Sequence, residues 1–164
     1  MPDGFKYAVQ SYAEQWLTIA DKVKEIDKKL VEQAKKESKL DNIYQSVPGI
    51  GPLSARILAN ELGDMKQFSN EKKLFSFTGL TPREYSSGDK KCLGSISRQG
   101  RPVLRKILVE AAWVAIKRDK NLENIFEAIT KRVGKKRAIV GIARRLVGRI
   151  RACIRNKEEY KFIS

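Results

Sequence analysis

The longest uninterrupted feature of the sequence is a segment, residues 8–46, that contains neither glycine nor proline and is rich in Lys, Glu, Ala and Leu. It predicts one long helix, because these residue types favour helices and nothing in the segment breaks the hydrogen-bond ladder. Apolar side chains recur at steps of three and four and form one narrow seam: Tyr12, Trp16, Ile19, Val23, Ile26 and Leu30. A narrow seam buries little surface unless another helix lies along it. The covering partner is a second chain, an absent domain or this chain's own domain, and the sequence leaves these open.

A turn follows the helix within the sequence VPGIGPLSARILANELGD, residues 47–64. Its glycines permit a tight backbone, and a second helix begins after the second proline. This pattern is typical of a helix-hairpin-helix, in which the turn amides and the following helix N-terminus donate hydrogen bonds to a DNA phosphate. The other interpretation is an ordinary corner between two helices, without a ligand. The residues predicted to contact nucleic acid here are Gly49, Ile50, Gly51 and Ser54, with the Ile50 side chain filling the core.

The rest of the sequence predicts a mainly α fold. Helical periodicity and caps indicate further helices at about residues 70–77, 102–118, 122–132 and 137–155. Residues 83–98 are the best candidate for a short hairpin or an irregular basic loop. The expected organisation is a coiled-coil helix over residues 1–45 and a helical domain over 46–164, which contains the helix-hairpin-helix (46–64) and the basic loop (83–101).

Charge is distributed unevenly along the chain. The formal net charge is +15, of which residues 83–164 carry +14 (22 Lys and Arg against 8 Asp and Glu). Such asymmetry predicts a polyanionic partner, and nucleic acid is favoured over a membrane because no apolar run is long enough to span one. The last helix carries a stripe of arginines, which is either a phosphate contact or a solvated face. The basic and polar residues predicted to bind nucleic acid are Lys90, Lys91, Ser97, Arg98, Arg101, Arg105, Arg144 and Arg151.

The sequence contains no histidine. Ser-His-Asp and Cys-His catalysis, His-ligated zinc and His-based phosphodiester cleavage are therefore excluded. The carboxylates show no metal-ligand spacing, so we expect neither a metal site nor a cofactor within this chain. The two cysteines form no disulfide framework, which favours a reducing cytoplasm.

Three segments occur together in a specific order: VPGIGPLSARILANELGD, then LFSFTGLTPREYSSGDKKCLGSISRQG, then LRKILVEAAWVAI. Together they resemble the C-terminal transposase domain of the insertion-sequence one-ten family of bridge-RNA-guided DNA recombinases, over residues 40–150. The resemblance implies a preceding coiled coil, an N-terminal RuvC-like domain with four acidic catalytic residues and Mg²⁺, and DNA and a guide RNA as partners. No RuvC-like pattern precedes the helix, so we expect this chain to be the C-terminal part of a longer bacterial or archaeal enzyme.

The resemblance also implies a serine nucleophile that forms a covalent 5′-phosphoserine with DNA, and the matching position is Ser87, before the glycine of YSSG. From the residues alone, a turn serine is the favoured interpretation of Ser87, and Tyr85 is a competing nucleophile. Ser86 and Ser95 are expected to cap, turn or bind phosphate, and Cys92 to be incidental. The predicted function is thus a DNA-binding catalytic domain that moves an insertion sequence, inactive without the RuvC-like domain. The alternative is a non-catalytic module for nucleic-acid binding and dimerisation.

Overall fold

The computed structural model describes residues 3–36, 39–87, 90–97 and 99–162, with side chains for 4–32, 39–83, 94–97 and 99–162. These residues form seven helices and one two-stranded sheet, which confirms the mainly α prediction. The elements are α1 Asp3–Lys36, α2 Lys39–Gln45, α3 Pro52–Leu62, α4 Glu71–Phe77, β1 Pro82–Ser87, β2 Lys90–Ile96, α5 Pro102–Arg118, α6 Lys120–Val133 and α7 Lys135–Asn156.

The segment predicted as one helix through residue 46 contains two helices, α1 and α2, with residues 37–38 outside the described part. The two helices differ in their packing. Ile43 and Tyr44 of α2 are buried, and α2 packs against α3 and α7. The helix α2 thus packs with the helices that follow it, and the domain boundary at residue 46 stays a prediction.

The seam of α1 is exposed. Trp16 is 70% exposed and Ile19 61%, and the other seam residues Tyr12, Val23 and Ile26 are all more than half exposed. Leu30 is half-buried, and α1 makes contact with α3. The described part of the chain thus leaves most of this apolar seam in solvent, which is unfavourable for an isolated helix.

The core lies between α5, α6 and α7, with α2, α3 and α4 packed around them. On α7 the buried residues recur at helical spacing and form one face: Ala138, Ile139, Ile142, Ala143, Leu146, Val147, Ile150 and Ile154. Two helices begin at side-chain caps. Asn70 accepts a hydrogen bond from the Lys73 amide at the start of α4, and Asp119 accepts one from the Leu122 amide at the start of α6.

The predicted hairpin within residues 83–98 is present. Strands β1 and β2 pair antiparallel, with an irregularity between Pro82 and Glu84. Below the strands, the Ser97 amide donates to the Thr81 carbonyl at 2.8 Å. This hydrogen bond therefore joins the two ends of the hairpin to each other.

Candidate nucleic-acid interface

Ser87 is the last residue of β1, at the turn of the hairpin. Its partner across the sheet is Lys90, and the preceding residue, Ser86, pairs with Lys91. Tyr85, the competing nucleophile, pairs with Cys92. The strand register thus places two predicted phosphate-binding lysines opposite the serines of the YSSG motif, although their side chains lie outside the described part of the chain.

Two glycines with positive φ join the base of the hairpin to the core. A Cβ at Gly79 (φ +69°) would lie 2.3 Å from the Gln99 carbonyl oxygen. One at Gly100 (φ +89°) would lie 2.5 Å from the Phe77 carbonyl oxygen and 2.8 Å from the Gly79 amide nitrogen. These contacts admit no side chain, so the two segments that lead into and out of the hairpin are held together by backbone alone.

The two arginines that begin α5 have different surroundings. Arg101 is exposed, forms a 3.3 Å ion pair with Glu61 and lies over the Phe77 ring at 5.9 Å from its centroid. Arg105 is half-buried beside Gly79, and its buried Nη1 has no hydrogen-bond partner among the described residues. A buried guanidinium nitrogen without an acceptor is costly, which makes Arg105 an unfavourable element of the described fold.

Of the other predicted contacts around the hairpin, Ser97 is half-buried and its carbonyl accepts from the Arg83 guanidinium at 3.4 Å. Ser95 is exposed. Arg98 lies outside the described residues. The phosphate contacts of Lys90, Lys91, Ser97 and Arg98 stay predictions.

The turn between α2 and α3 packs closely on the core. Gly49 (φ +85°) lies against α5, where an added Cβ would be 2.9 Å from the Ala111 Cα. The Ile50 side chain is buried, as expected, and its amide donates to the Val47 carbonyl at 3.1 Å. Gly51 is exposed, with nothing within 4 Å of an added Cβ, and Ser54 is half-buried. The exposed part of the turn is thus on the Gly51 side, the Ile50 amide is already hydrogen-bonded, and phosphate contacts at this turn stay predictions.

The arginine stripe of α7 does not face solvent evenly. Arg137 and Arg155 are exposed, whereas Arg144 and Arg151 are half-buried. The Arg144 Nε donates to the Leu80 carbonyl, and the Arg151 Nη2 to the Phe68 carbonyl. Burial lowers the pKa of Arg144. Arg144 thus holds the residue that leads into the hairpin, a structural role that the helical pattern did not indicate.

A buried polar cluster joins distant parts of the chain, and no sequence pattern indicates it. The Asp119 carboxylate is 1% exposed and accepts from Arg149 at 2.6 Å and from the Tyr160 hydroxyl at 2.7 Å. Arg149 also donates to Asn121 at 2.6 Å. The Tyr160 amide donates to the Ser46 hydroxyl at 2.8 Å, so this cluster fixes the end of the chain beside the turn between α2 and α3.

Among the described residues, no group of three or more Cys, Asp and Glu side chains is placed to hold a metal ion. In the same part of the chain, no helix is sufficiently long and apolar to cross a membrane.

Residues 41–127, more than half of the chain, match the family described as Transposase IS116/IS110/IS902. The transposase for insertion sequence element IS1111A of Coxiella burnetii is 35% identical over 121 residues, which are 71% of this chain and 33% of that protein. The transposase for IS1328 of Yersinia enterocolitica is 34% identical over 100 residues, 61% of this chain and 30% of that protein. This chain therefore spans about a third of the length of these curated relatives. The extent of the family match shows that the chain belongs to the IS116/IS110/IS902 family of transposases.

Proposed function

We propose that this chain is the DNA-binding catalytic domain of a transposase that moves an insertion sequence, with Ser87 as the nucleophile. One observation carries the proposal: in a chain of this transposase family, Ser87 ends a strand at the turn of a hairpin, directly opposite Lys90. The hairpin belongs to the half of the sequence that carries the +14 charge. Positive charge around a phosphodiester offsets the negative charge that develops when a hydroxyl attacks it.

In the proposed step, the Ser87 Oγ–phosphorus bond forms and the bond from phosphorus to the 3′ oxygen of the neighbouring nucleotide breaks. The products are a 5′-phosphoserine and a free 3′-hydroxyl. The serine must lose its proton and the leaving oxygen must gain one, and the sequence has no histidine to exchange them. The described residues also offer no metal-ligand cluster. The resemblance assigns Mg²⁺ and the acidic residues to a RuvC-like domain, so this chain supplies the nucleophile and the cationic surroundings.

The packing of the hairpin supports a positioning role for the core. Gly79 and Gly100 hold its two ends together, and Arg144 holds the carbonyl of Leu80 just before β1. A nucleophile at a turn fixed in this way keeps its position relative to Arg101 and Arg105, which begin the adjacent helix. Such fixed placement reduces the entropy lost when the reacting groups are brought together.

The test of the nucleophile uses a full-length transposase that carries this domain, with its guide RNA and DNA. Ser87→Ala is expected to abolish strand cleavage and the covalent protein–DNA adduct while leaving DNA affinity within about twofold, because one hydroxyl in a turn contributes little to folding or binding. Tyr85→Phe serves as the matched control and is expected to retain cleavage. Adduct formation by Ser87→Ala, together with its loss in Tyr85→Phe, would assign the reaction to the tyrosine.

We further propose that α1 mediates self-association through its exposed seam. Charge placed in a desolvated seam is costly, so the double variant Ile19→Asp, Ile26→Asp is expected to reduce the mass measured by analytical ultracentrifugation. Lys28→Asp, on the exposed opposite face of α1, is expected to leave it unchanged. An unchanged mass in the double variant would show that the seam does not join two copies.

The second candidate function is a non-catalytic module for nucleic-acid binding and dimerisation. It is favoured by the lack of a histidine base and of a metal-ligand cluster in the described residues. Both functions predict DNA binding that weakens steeply with salt, because each neutralised phosphate releases counterions. The covalent adduct in the full-length protein distinguishes them, since a binding module forms none.

A further inference from the structure

The junction between α6 and α7 carries a second concentration of positive charge, outside the hairpin and the start of α5, and it includes Arg137 of the α7 stripe. Its five basic side chains are all exposed: Lys131, Arg132, Lys135, Lys136 and Arg137. Within the described ranges, none of them forms an ion pair. We call these five residues the basic junction.

The basic junction is only partly explained by helix stability. Lys131 and Arg132 lie in the last turn of α6, where cations interact favourably with the helix dipole. Lys135, Lys136 and Arg137 lie at a helix N-terminus, in the first turn of α7, and this turn contains no acidic residue. Cations at a helix N-terminus are unfavourable, and these three also repel the two on α6. The fold therefore does not offset the charge of these three side chains, and an anion bound near the start of α7 would reduce their repulsion.

A groove of about 420 Å³ lies beside the basic junction, between the end of α5 and α6. Lys117, Lys131 and Lys135 line it together with the apolar side chains of Ile116 and Phe126. Two glutamates also line the groove, Glu123 and Glu127, of which Glu123 is paired with Lys120 at 2.7 Å. The groove therefore combines an apolar surface with Lys117 and with two lysines of the basic junction, Lys131 and Lys135.

An aromatic pair adjoins this groove. The Trp113 ring packs edge-to-face against Phe126, with 5.6 Å between ring centroids, and Trp113 remains 40% exposed. Trp113 is thus linked to the groove through Phe126, which lines it together with lysines. An exposed aromatic ring and cations on one surface can hold unpaired nucleotides, because a base stacks on the ring while phosphates contact the cations. A duplex offers no free base faces, so it would use the lysines and leave the indole in solvent.

We propose that the groove and the basic junction bind an unpaired nucleic-acid strand, with phosphates at Lys131, Lys135 and Lys136 and a base on Trp113. This contact is separate from the proposed cleavage chemistry and needs neither Ser87 nor the hairpin. DNA and RNA share the chemistry that the surface recognises, so the experiment includes both.

The experiment uses the whole chain with Trp16→Phe, which leaves Trp113 as the single tryptophan. Oligothymidine and oligouridine of about eight nucleotides, within the usual site size for unpaired strands, are added to this protein while the fluorescence of Trp113 is measured. A blunt duplex is added in a third titration. We expect both single strands to quench Trp113 and the duplex to leave it unchanged. A stronger response to one single strand would identify DNA or RNA as the preferred source.

The lysine contacts are tested by Lys131→Gln, Lys135→Gln, Lys136→Gln in the same background. Its affinity for the single strands is expected to fall at least tenfold, and the slope of log affinity against log salt to decrease by about 2, since each contact to a single strand contributes about 0.7. The matched control, Lys6→Gln, Lys22→Gln, Lys28→Gln, removes the same charge from exposed positions on α1 and is expected to keep the affinity.

Equal losses in the two triple variants would overturn the proposal, because the effect would then follow net charge alone. Quenching by the duplex that matches quenching by the single strands would overturn the base contact. Neither outcome affects the role of Ser87, and failure of the Ser87→Ala test would leave this surface in place.

Discussion

The Asp119 cluster predicts a large loss of stability from one substitution. In Asp119→Ala, the Arg149 guanidinium and the Tyr160 hydroxyl each lose a close partner, and the Leu122 amide loses its cap. Removing one member of a buried ion pair costs about 3–5 kcal/mol, and the lost cap, about 1 kcal/mol by itself, overlaps with this range. A protein of this size has a free energy of unfolding of about 5–15 kcal/mol, so the variant is expected to remain folded but with a clearly lower Tm, by roughly 6–20 °C.

The assay is urea unfolding followed by circular dichroism, on Asp119→Ala, Tyr160→Phe and the double variant. Tyr160→Phe removes one hydrogen bond to the carboxylate and is expected to cost about 1–2 kcal/mol. Because both single variants disrupt the same contact, the double variant is expected to lose less than their sum, by about 0.5–3 kcal/mol. Asp119→Asn retains an acceptor for the Leu122 amide and is expected to lose less than Asp119→Ala.

The reasoning would be refuted if Asp119→Ala lowered the free energy of unfolding by less than about 1 kcal/mol, the ordinary effect of a point substitution. Additive losses in the double variant would also contradict it, since they would mean that Asp119 and Tyr160 act independently. In that case the close contacts of Asp119 with Arg149 and Tyr160 would contribute little to the free energy of unfolding.

Two further predictions concern the turn between α2 and α3 and the end of the chain. Gly49→Ala is expected to destabilise the protein by about 2–4 kcal/mol, because the residue has a positive φ and an added Cβ would overlap α5. The matched control is Gly51→Ala in the same turn, where an added Cβ meets nothing, and it is expected to change stability by less than about 0.5 kcal/mol. Equal thermal midpoints for the two variants would contradict this packing. Burial, and then the hydrogen bond to Asp119, raises the pKa of Tyr160 to about 12 from the ordinary 10. The raised pKa favours the protonated form in the folded state, so its contribution is complete below pH 10 and is lost as pH rises from 10 to 12, by about 2–3 kcal/mol. Urea titrations across this range should show that extra slope in the wild type and not in Tyr160→Phe, and identical slopes would disprove it.

The sequence by itself determined the features that repeat locally. The buried face of α7 can be predicted from the sequence because Ile139, Leu146 and Ile150 recur at helical spacing. The stretch between two predicted helices, residues 83–98, indicates a short hairpin or a loop, and the structure has a hairpin there. The sequence also indicates the family, since TGLTPREYSSG and GSISRQG are each an unbroken stretch of the chain.

The tertiary structure alone decided which residues meet across the chain. Asp119, Arg149 and Tyr160 are isolated polar residues without periodicity, so no local pattern indicates that they share one buried cluster. The spacing of Arg144 predicts either a phosphate contact or a solvated face, and only the structure shows that its Nε donates to the Leu80 carbonyl, 64 residues away. Helical spacing determines which side of a helix a side chain occupies, but the partner on that side is set by long-range packing. For the same reason the sequence revealed the apolar seam of α1, and only the structure showed that most of it remains uncovered within the described chain.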